Sequence, residues 1–463
     1  MSVLFLNLEA PVFADVPHPK HNLAPLDLGT AMASVSERGH TVDFIETSTG
    51  EINLETLTGR LRSDPAELVV IRPSFEALPH APTLATAACA NERTILWVGP
   101  PASHAADWLL SRCPSSLVST GESDRVPLAV LQALHGKRPR KDILGIAFRD
   151  GEQIVRTPPR PLEQNIDRLP IPRHDLLLQP NYRFHYPLKP KGPLKMGYLL
   201  ASRGCPYSCI FCSEVERASF GKPYRHHGPG RIASEMRLLS ELGATGVYFE
   251  DDLFALDKPR FLALADAIRC SRGDLSWCAQ VRASDIDAEI AQALKGAGCT
   301  SVACGIETGS DRLLKLLKKG TTTAANESGV RALNDAGIQV VAYLIIGIPE
   351  ETPDDRRATL RLAEELKASM VQLHIFASYP GTRAMDDYPE LGAQGGNKFI
   401  PAPTRSDRDD LLQLQRDFYR RFYLRPDRFV QHVWRRWPQL WANPGGEIRN
   451  AMHLVRHALN LGS

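Results

Sequence analysis

Three cysteines within eight residues, Cys205, Cys209 and Cys212, carry the strongest chemical signal in the chain. They stand in the run Arg203-Gly204-Cys205-Pro206-Tyr207-Ser208-Cys209-Ile210-Phe211-Cys212, a C-x3-C-x2-C spacing directly after an apolar strand candidate. A tight loop with this spacing can set three thiolates around one metal centre. On a four-iron cluster, three thiolates leave one iron open to chelate a small molecule, much as an open zinc position permits catalysis. A closed zinc site needs four ligands. No fourth Cys or His lies at motif distance, although His226 and His227 are near enough to keep zinc as an alternative. The expectation is a [4Fe-4S] cluster on Cys205, Cys209 and Cys212.

The elements that must position this loop read as α/β. In residues 196–376 the strand candidates are Met196–Ser202, Gly246–Glu250, Leu275–Ala279, Thr300–Cys304, Gln339–Ile346 and Val371–Phe376, with helical patterns between them. Six βα repeats imply a partial (β/α)6 barrel over 196–385, whose strand ends gather chemistry at one rim. Residues 1–140 also alternate, with strands at Val3–Asn7, Thr41–Ile45, Leu68–Arg72, Thr94–Val98 and Ser116–Thr120. That pattern predicts a doubly wound, Rossmann-like sheet, with ligands past the carboxyl ends of its strands. Residues 141–195 are rich in Pro and Arg and read as an extended connector with little regular structure. Residues 386–463 read as a helical C-terminal cap. Its Phe418–Pro426 and Val433–Trp437 segments interleave Arg with aromatics, a pattern of amphipathic packing, of stacking on bases or of peripheral membrane contact.

Composition narrows the class. Of 463 residues, 43% are hydrophobic and 23% charged, which suits a packed globular protein. A formal net charge of +2 gives no electrostatic case for nucleic acid as the main partner. No apolar run is long enough to span a membrane, and MSVLFLNLEAPVF lacks a basic n-region, so it reads as a buried strand. Nine cysteines, an odd number with most of them scattered, do not form a disulfide framework; a cytoplasmic chain is expected.

With an aromatic before its last cysteine, the motif resembles the radical S-adenosylmethionine (radical SAM) superfamily. The resemblance implies that the open iron binds the amino and carboxylate groups of S-adenosylmethionine. One electron then cleaves the sulfonium bond to methionine and a 5′-deoxyadenosyl radical, which takes hydrogen from a substrate. By the same resemblance Phe211 lies against the adenine, and Glu250, Asp251 and Asp252 meet the methionyl ammonium. There the family's common Gly-Gly-Glu is replaced by an acidic run, as in the cobalamin-linked branch. Arg282 would meet the carboxylate, Glu307 would lie near the cofactor, and Gly347, in Leu344–Thr352, would belong to the segment on adenine.

The front of the chain is similar to the cobalamin-binding branch. The similarity rests on Pro25-Leu26-Asp27-Leu28-Gly29 opening a helix that closes at Gly39, on Gly99-Pro100-Pro101-Ala102-Ser103 and on Gly121-Glu122-Ser123-Asp124. It implies cobalamin contacts at Ser74, Gly99, Ser103, Gly121 and Glu122. The D-x-H-x-x-G motif, whose His binds cobalt in many cobalamin proteins, is absent from the chain, so cobalamin would sit without that ligand. A domain with the fold but no cofactor is the alternative.

The function implied is a cobalamin-dependent radical SAM enzyme methylating an unactivated centre of a small, natural-product or lipid-like substrate, fed by flavodoxin or ferredoxin. A cyclase or rearrangement enzyme of the same branch is the second reading, and a cobalamin or iron–sulfur carrier or sensor the non-enzymatic one. A tRNA methylthiotransferase fits poorly, because Cys89 and Cys113 form no second cluster motif in the first domain. No residue is assigned as catalytic.

Overall fold

The structure is a computed structural model, and it describes residues 1–9, 22–89, 93–136, 138–182, 184, 186–212, 220–379, 381–391 and 407–423. Its first sheet holds β1 (Ser2–Leu8), β2 (Thr41–Glu46), β3 (Leu68–Pro73), β4 (Thr94–Trp97), β5 (Leu117–Ser119), β6 (Ile146–Asp150) and β7 (Gln153–Arg156). The order is β2-β1-β3-β4-β5-β6-β7, with β1 to β5 parallel. Leu4, Leu6 and Leu8 of β1 enter one apolar cluster, while Val3 and Phe5 enter another on the opposite face. Burial on both faces is why these strands read as unbroken apolar runs. Strand order reverses between β1 and β3, which opens a crevice past their carboxyl ends.

One expectation changes here. The stretch read as an irregular connector from residue 141 supplies β6 and β7, an antiparallel hairpin added to β5. A two-residue turn, Gly151-Glu152, joins them, with Gly151 at φ +59°. Asp150-Gly151 between two apolar runs is itself a hairpin signal, and it was outweighed by the surrounding Pro and Arg.

The second sheet begins with β8 (Met196–Leu199). A small antiparallel pair follows, β9 (Ser202–Arg203) with β10 (Arg225–His226), spanning the loop that carries the three cysteines. Then come β11 (Gly246–Phe249), β12 (Ser276–Val281), β13 (Cys299–Glu307), β14 (Gln339–Ile346) and β15 (Met370–Ile375). All six long strands run parallel in the order β8-β11-β12-β13-β14-β15. Sequential parallel neighbours joined by helices make an open barrel wall, as the βα repeats predict. Its helices are started by side chains: Asp257, Asp287, Ser310, Thr322 and Thr352 each accept a hydrogen bond from a first-turn backbone N–H. Each such cap satisfies an otherwise orphaned donor.

The helix Arg408–Tyr423 packs Leu411, Phe418 and Phe422 into the barrel core. Tyr419 and Tyr423 aim their hydroxyls at the free edge of β15, receiving hydrogen bonds from the Leu373 and Val371 N–H groups at 2.9 and 3.0 Å. Residues 418–423 of the Arg-aromatic segment therefore cap a sheet edge; Leu424–Pro426 and Val433–Trp437 lie outside the described residues. Among the described residues no helix is long and apolar enough to cross a membrane.

The barrel's packing leaves a testable contrast. A Cβ on Gly329, inside helix Thr323–Asp335, would fall 1.8 Å from the Ala283 carbonyl oxygen, while one on exposed Gly59 would meet nothing. Gly329→Ala should lower stability by about 1–3 kcal/mol through overpacking. Gly59→Ala should raise it by about 0.4–1 kcal/mol, and thermal melts of the two variants would check the opposite signs.

Candidate active site

The cysteine loop is held at its root, at its middle and around its exit. At the root, Asp251 accepts hydrogen bonds from Ala201 N at 2.9 Å and from Ser202 Oγ at 2.5 Å. Arg260 donates to the Ala201 carbonyl at 2.5 Å. In the middle, Ile210 N donates to Leu317 O at 3.0 Å, and Ile210 O accepts from Ala384 N at 2.9 Å. Gly204 sits at φ +86°, where an added Cβ would lie 2.2 Å from Pro223 O, so only glycine allows the loop to pass this close to its own return. Cys205, Cys209 and Cys212 are partly exposed.

Arg203, one residue before Gly204, is buried and grips Asp124 with both Nη atoms, at 2.8 and 2.9 Å. Its Nη1 also reaches Glu122 at 3.4 Å, and Glu122 takes a second hydrogen bond from Arg225 Nη2 at 2.7 Å. Burial works against the Arg203 charge, but Asp124 and Glu122 outweigh it and hold the guanidinium pKa above its ordinary value.

The residues expected at S-adenosylmethionine fall into three groups. Glu250 and Asp252, past the end of β11, line a cavity of about 460 Å³. Asp251 does not: it is fully buried, points at the loop root and has its carboxyl pKa raised to about 6, mainly by desolvation. A buried carboxylate already accepting from Ala201 and Ser202 is a scaffold for the loop, so the expectation of an ammonium contact at Asp251 is replaced.

Arg282, Glu307, Phe211 and Gly347 gather around the cysteine loop. The Arg282 guanidinium stacks 3.8 Å over the Tyr207 ring, and its Nη2 donates to Gly320 O at 2.9 Å. Glu307 ends β13 at φ +66°, where the register with β14 shifts. Such a backbone costs about 1–3 kcal/mol and persists only where its surroundings fix it. Here Lys319 Nζ fixes it, 2.5 Å from Glu307 Oε1 and 5.8 Å from the Phe211 ring. Burial opposes the Lys319 charge, yet Glu307 keeps its pKa above the ordinary value. Phe211 packs with Ile345 and Ile348, either side of Gly347, and the Gly347 N–H donates to Glu351 Oε2 at 2.8 Å.

The cavity has two walls. The barrel gives Leu200, Ser202, Tyr248, Glu250, Asp252 and Gln280, and the first-sheet side gives Glu9, Asp27, Arg72 and Pro100. It therefore lies where the β1/β3 crevice faces the barrel rim, and its size is that of a small-ligand site. Arg72 ends β3 and bonds Asp27 at 3.0 Å, with Glu9 3.9 Å away. Asn7 accepts from Arg72 at 3.4 Å and donates to Glu46 at 3.0 Å.

Among the residues expected at cobalamin, Gly99 neighbours the cavity through Pro100, at φ +85°. Ser74 Oγ accepts from Ala77 N at 3.3 Å, Ser103 lies in helix Pro100–His104, and Gly121 turns the chain at φ +110° after β5. Glu122 is engaged by Arg203 and Arg225 instead of facing the cavity.

The donor set fits an iron–sulfur cluster: three cysteine thiols share one loop, with cations Arg282 and Lys319 beside it. His227 Nδ1 is paired with Asp167 at 2.7 Å and His226 is exposed, so neither histidine completes a zinc site here. Among the described residues no three His, Cys, Asp or Glu side chains converge on a single ion. A four-iron cluster binds its thiolates on separate irons and does not require that convergence.

Residues 199–363 match the family model of the radical SAM superfamily. The chain carries a radical SAM domain over that stretch. An uncharacterized methyltransferase of Pyrococcus horikoshii is 29% identical over 88% of this chain and 89% of its own length. The anaerobic magnesium-protoporphyrin IX monomethyl ester cyclase of Cereibacter sphaeroides is 25% identical over 87% of this chain and 67% of its own. Among solved structures, the radical SAM methyltransferase TsrM of Kitasatospora setae, with cobalamin and a [4Fe-4S] cluster bound, superposes with a TM-score of 0.69 at 20% identity. That likeness covers 85% of this chain and 79% of TsrM, and it shows the shared fold: a doubly wound sheet followed by an open (β/α) barrel.

Sequence reasoning missed Glu9, Arg72 and Gln280 at the cavity and Lys319 beside the cysteine loop. Arg72 was signalled, since an Arg closing the buried run Leu68-Val69-Val70-Ile71 needs a carboxylate partner. Glu9 gives a pH prediction. Burial, partly offset by Arg72, raises its pKa from an ordinary 4.5 to about 7. The unfolded chain ionises Glu9 near 4.5 and the folded chain only near 7, so stability is lost as pH rises through that window. Glu9→Gln should raise the melting temperature at pH 8, by up to about 3 kcal/mol in stability, and leave it unchanged at pH 4.5. Melting curves of both proteins at the two pH values would measure it.

Proposed function

We propose that the protein is a cobalamin-dependent radical SAM enzyme that methylates an unactivated centre of a small molecule. One observation carries the reading: the crevice of the first sheet and the rim of the barrel open into a single cavity, so groups bound on either side would share one reaction space. When bound, the cluster supplies the electron that cleaves S-adenosylmethionine to a 5′-deoxyadenosyl radical, and cobalamin supplies a transferable methyl group. Cys205, Cys209 and Cys212 would hold the cluster. Glu250 and Asp252 present carboxylate oxygens suited to the methionyl ammonium. Phe211 and the Gly347-Ile348 segment offer an apolar seat for the adenine, and Lys319 and Arg282 place positive charge beside the thiolates. On the other wall Glu9, Asp27 and Arg72 would face cobalamin from the β1/β3 crevice. Phe184, Tyr186 and Tyr248 give the cavity an apolar flank for the substrate.

The likeness to the cyclase supports a second reading, in which the same cofactors close a ring without net methyl transfer. A reduced flavodoxin or ferredoxin is the proposed electron donor, and the cytoplasm the proposed compartment.

Anaerobically purified protein should hold about four iron atoms and one cobalt per chain. With dithionite it should release 5′-deoxyadenosine, and S-adenosylhomocysteine as the by-product of methyl transfer. Each Cys→Ala variant at 205, 209 and 212 should lose iron and 5′-deoxyadenosine together. Cobalt without any S-adenosylhomocysteine would favour the cyclase reading. Unchanged iron in all three variants would sink the assignment.

A further inference from the structure

The loop that bears the cysteines is anchored to the first sheet by charge. Its two flanks, Arg203 on β9 and Arg225 on β10, are paired strands and both carry a buried guanidinium. Both guanidinium groups turn to the loop after β5, where Asp124 clasps Arg203 bidentately and Glu122 bridges Arg203 and Arg225. All four side chains are at most 8% exposed. Arg225 also donates to the Phe220 carbonyl at 2.6 Å and the Glu163 carbonyl at 2.8 Å. The Phe220 ring lies 4.7 Å from the Arg203 guanidinium and lines the cavity. A bidentate arginine–carboxylate pair fixes orientation as well as distance, and Arg203 is separated from the first cysteine only by Gly204.

We propose that Asp124 and Glu122 are positioning residues for the iron–sulfur loop, acting through Arg203 and Arg225, so that the cobalamin-type sheet sets the seat of the cluster in the barrel. This goes beyond the contacts that the sequence implied, where Glu122 stood as a cobalamin contact. It rests on the reading of Cys205, Cys209 and Cys212 as cluster ligands.

The test uses the full chain, reconstituted anaerobically with iron and sulfide, as wild type, Asp124→Asn, Glu122→Gln and Arg203→Lys. Leu294→Ala, which opens a cavity under the helix Ala288–Gly296 in the barrel core, serves as a control weakened away from the cysteine loop. The readouts are iron per folded chain, the electron paramagnetic resonance spectrum of the reduced cluster, and the rate of iron loss to a chelator. Asp124→Asn should lose iron roughly 10-fold faster than wild type, the scale of losing a supporting partner behind a metal site, and its spectrum should shift. Arg203→Lys keeps the charge but not the fork, so it should behave alike, with Glu122→Gln intermediate. Leu294→Ala should keep the wild-type spectrum and rate. Wild-type behaviour in the Asp124, Glu122 and Arg203 variants overturns the inference, as does equal iron loss in Leu294→Ala. Should Asp124→Asn fail to fold, Glu122→Gln and Arg203→Lys decide by the same readouts. A wild-type chain that takes up no cluster overturns the cysteine assignment itself, a different result from a loaded wild type with loaded variants.

Discussion

Four buried charges, Arg203, Arg225, Asp124 and Glu122, impose the tightest condition on this fold. Taking an ion out of water costs several kcal/mol even after relaxation, so such groups survive only when each meets its opposite in good geometry. Here two cations and two anions cancel, with bonds of 2.7 to 2.9 Å and a weaker one at 3.4 Å. Removing one partner strands the rest, at about 3–5 kcal/mol. A hydrophobic contact would tolerate sliding by a fraction of an ångström; a guanidinium fork on a carboxylate does not. The arrangement therefore specifies a relative placement of β5 and β9, and with it a distance from first-sheet loops to cysteine loop.

Asp251 shows the same logic at shorter range. In Glu250-Asp251-Asp252 the chain leaves β11, and successive side chains take opposite directions. Glu250 and Asp252 reach the cavity, while Asp251 turns inward to Ala201 and Ser202. A run of three acids is thus two cavity-lining carboxylates with a structural one between them, and the structural one holds the strand from which the cysteine loop departs. Burial raises the Asp251 carboxyl pKa to about 6.

Local periodicity made the sheets legible in the sequence. β14 runs over the predicted residues Gln339–Ile346 and the remaining long strands shift by only a few, because parallel strands buried on both faces are simple apolar runs. The cysteine motif was legible because its spacing is local. What the sequence hid depends on partners far away along the chain. Glu122 meets Arg225 across about a hundred residues, Lys319 meets Glu307 from the far side of a helix, and Glu9, Asp27 and Arg72 converge only once β1 and β3 pair. Asp251 was misplaced for the complementary reason: residue type marks a candidate carboxylate, but its direction is decided by the strand it leaves.

The cavity has fixed walls because the two sheets share a core. One apolar cluster runs from Val3, Phe5 and Val70 of the first sheet, through Tyr182, Phe184 and Leu188 of the connecting stretch, to Met196, Tyr198, Tyr248 and Cys278 of the barrel. Tyr198 donates to Asn22 O at 2.6 Å and Tyr182 to Glu46 at 2.8 Å, so its buried hydroxyls are satisfied across the same boundary. Interfaces between mobile domains are usually polar and thinly packed; this one is packed like an interior and pinned by polar bonds. Two cofactor sites on hinged domains would need a closing motion before a group could pass between them. With a continuous core behind the cavity, the separation of its walls is set by folding.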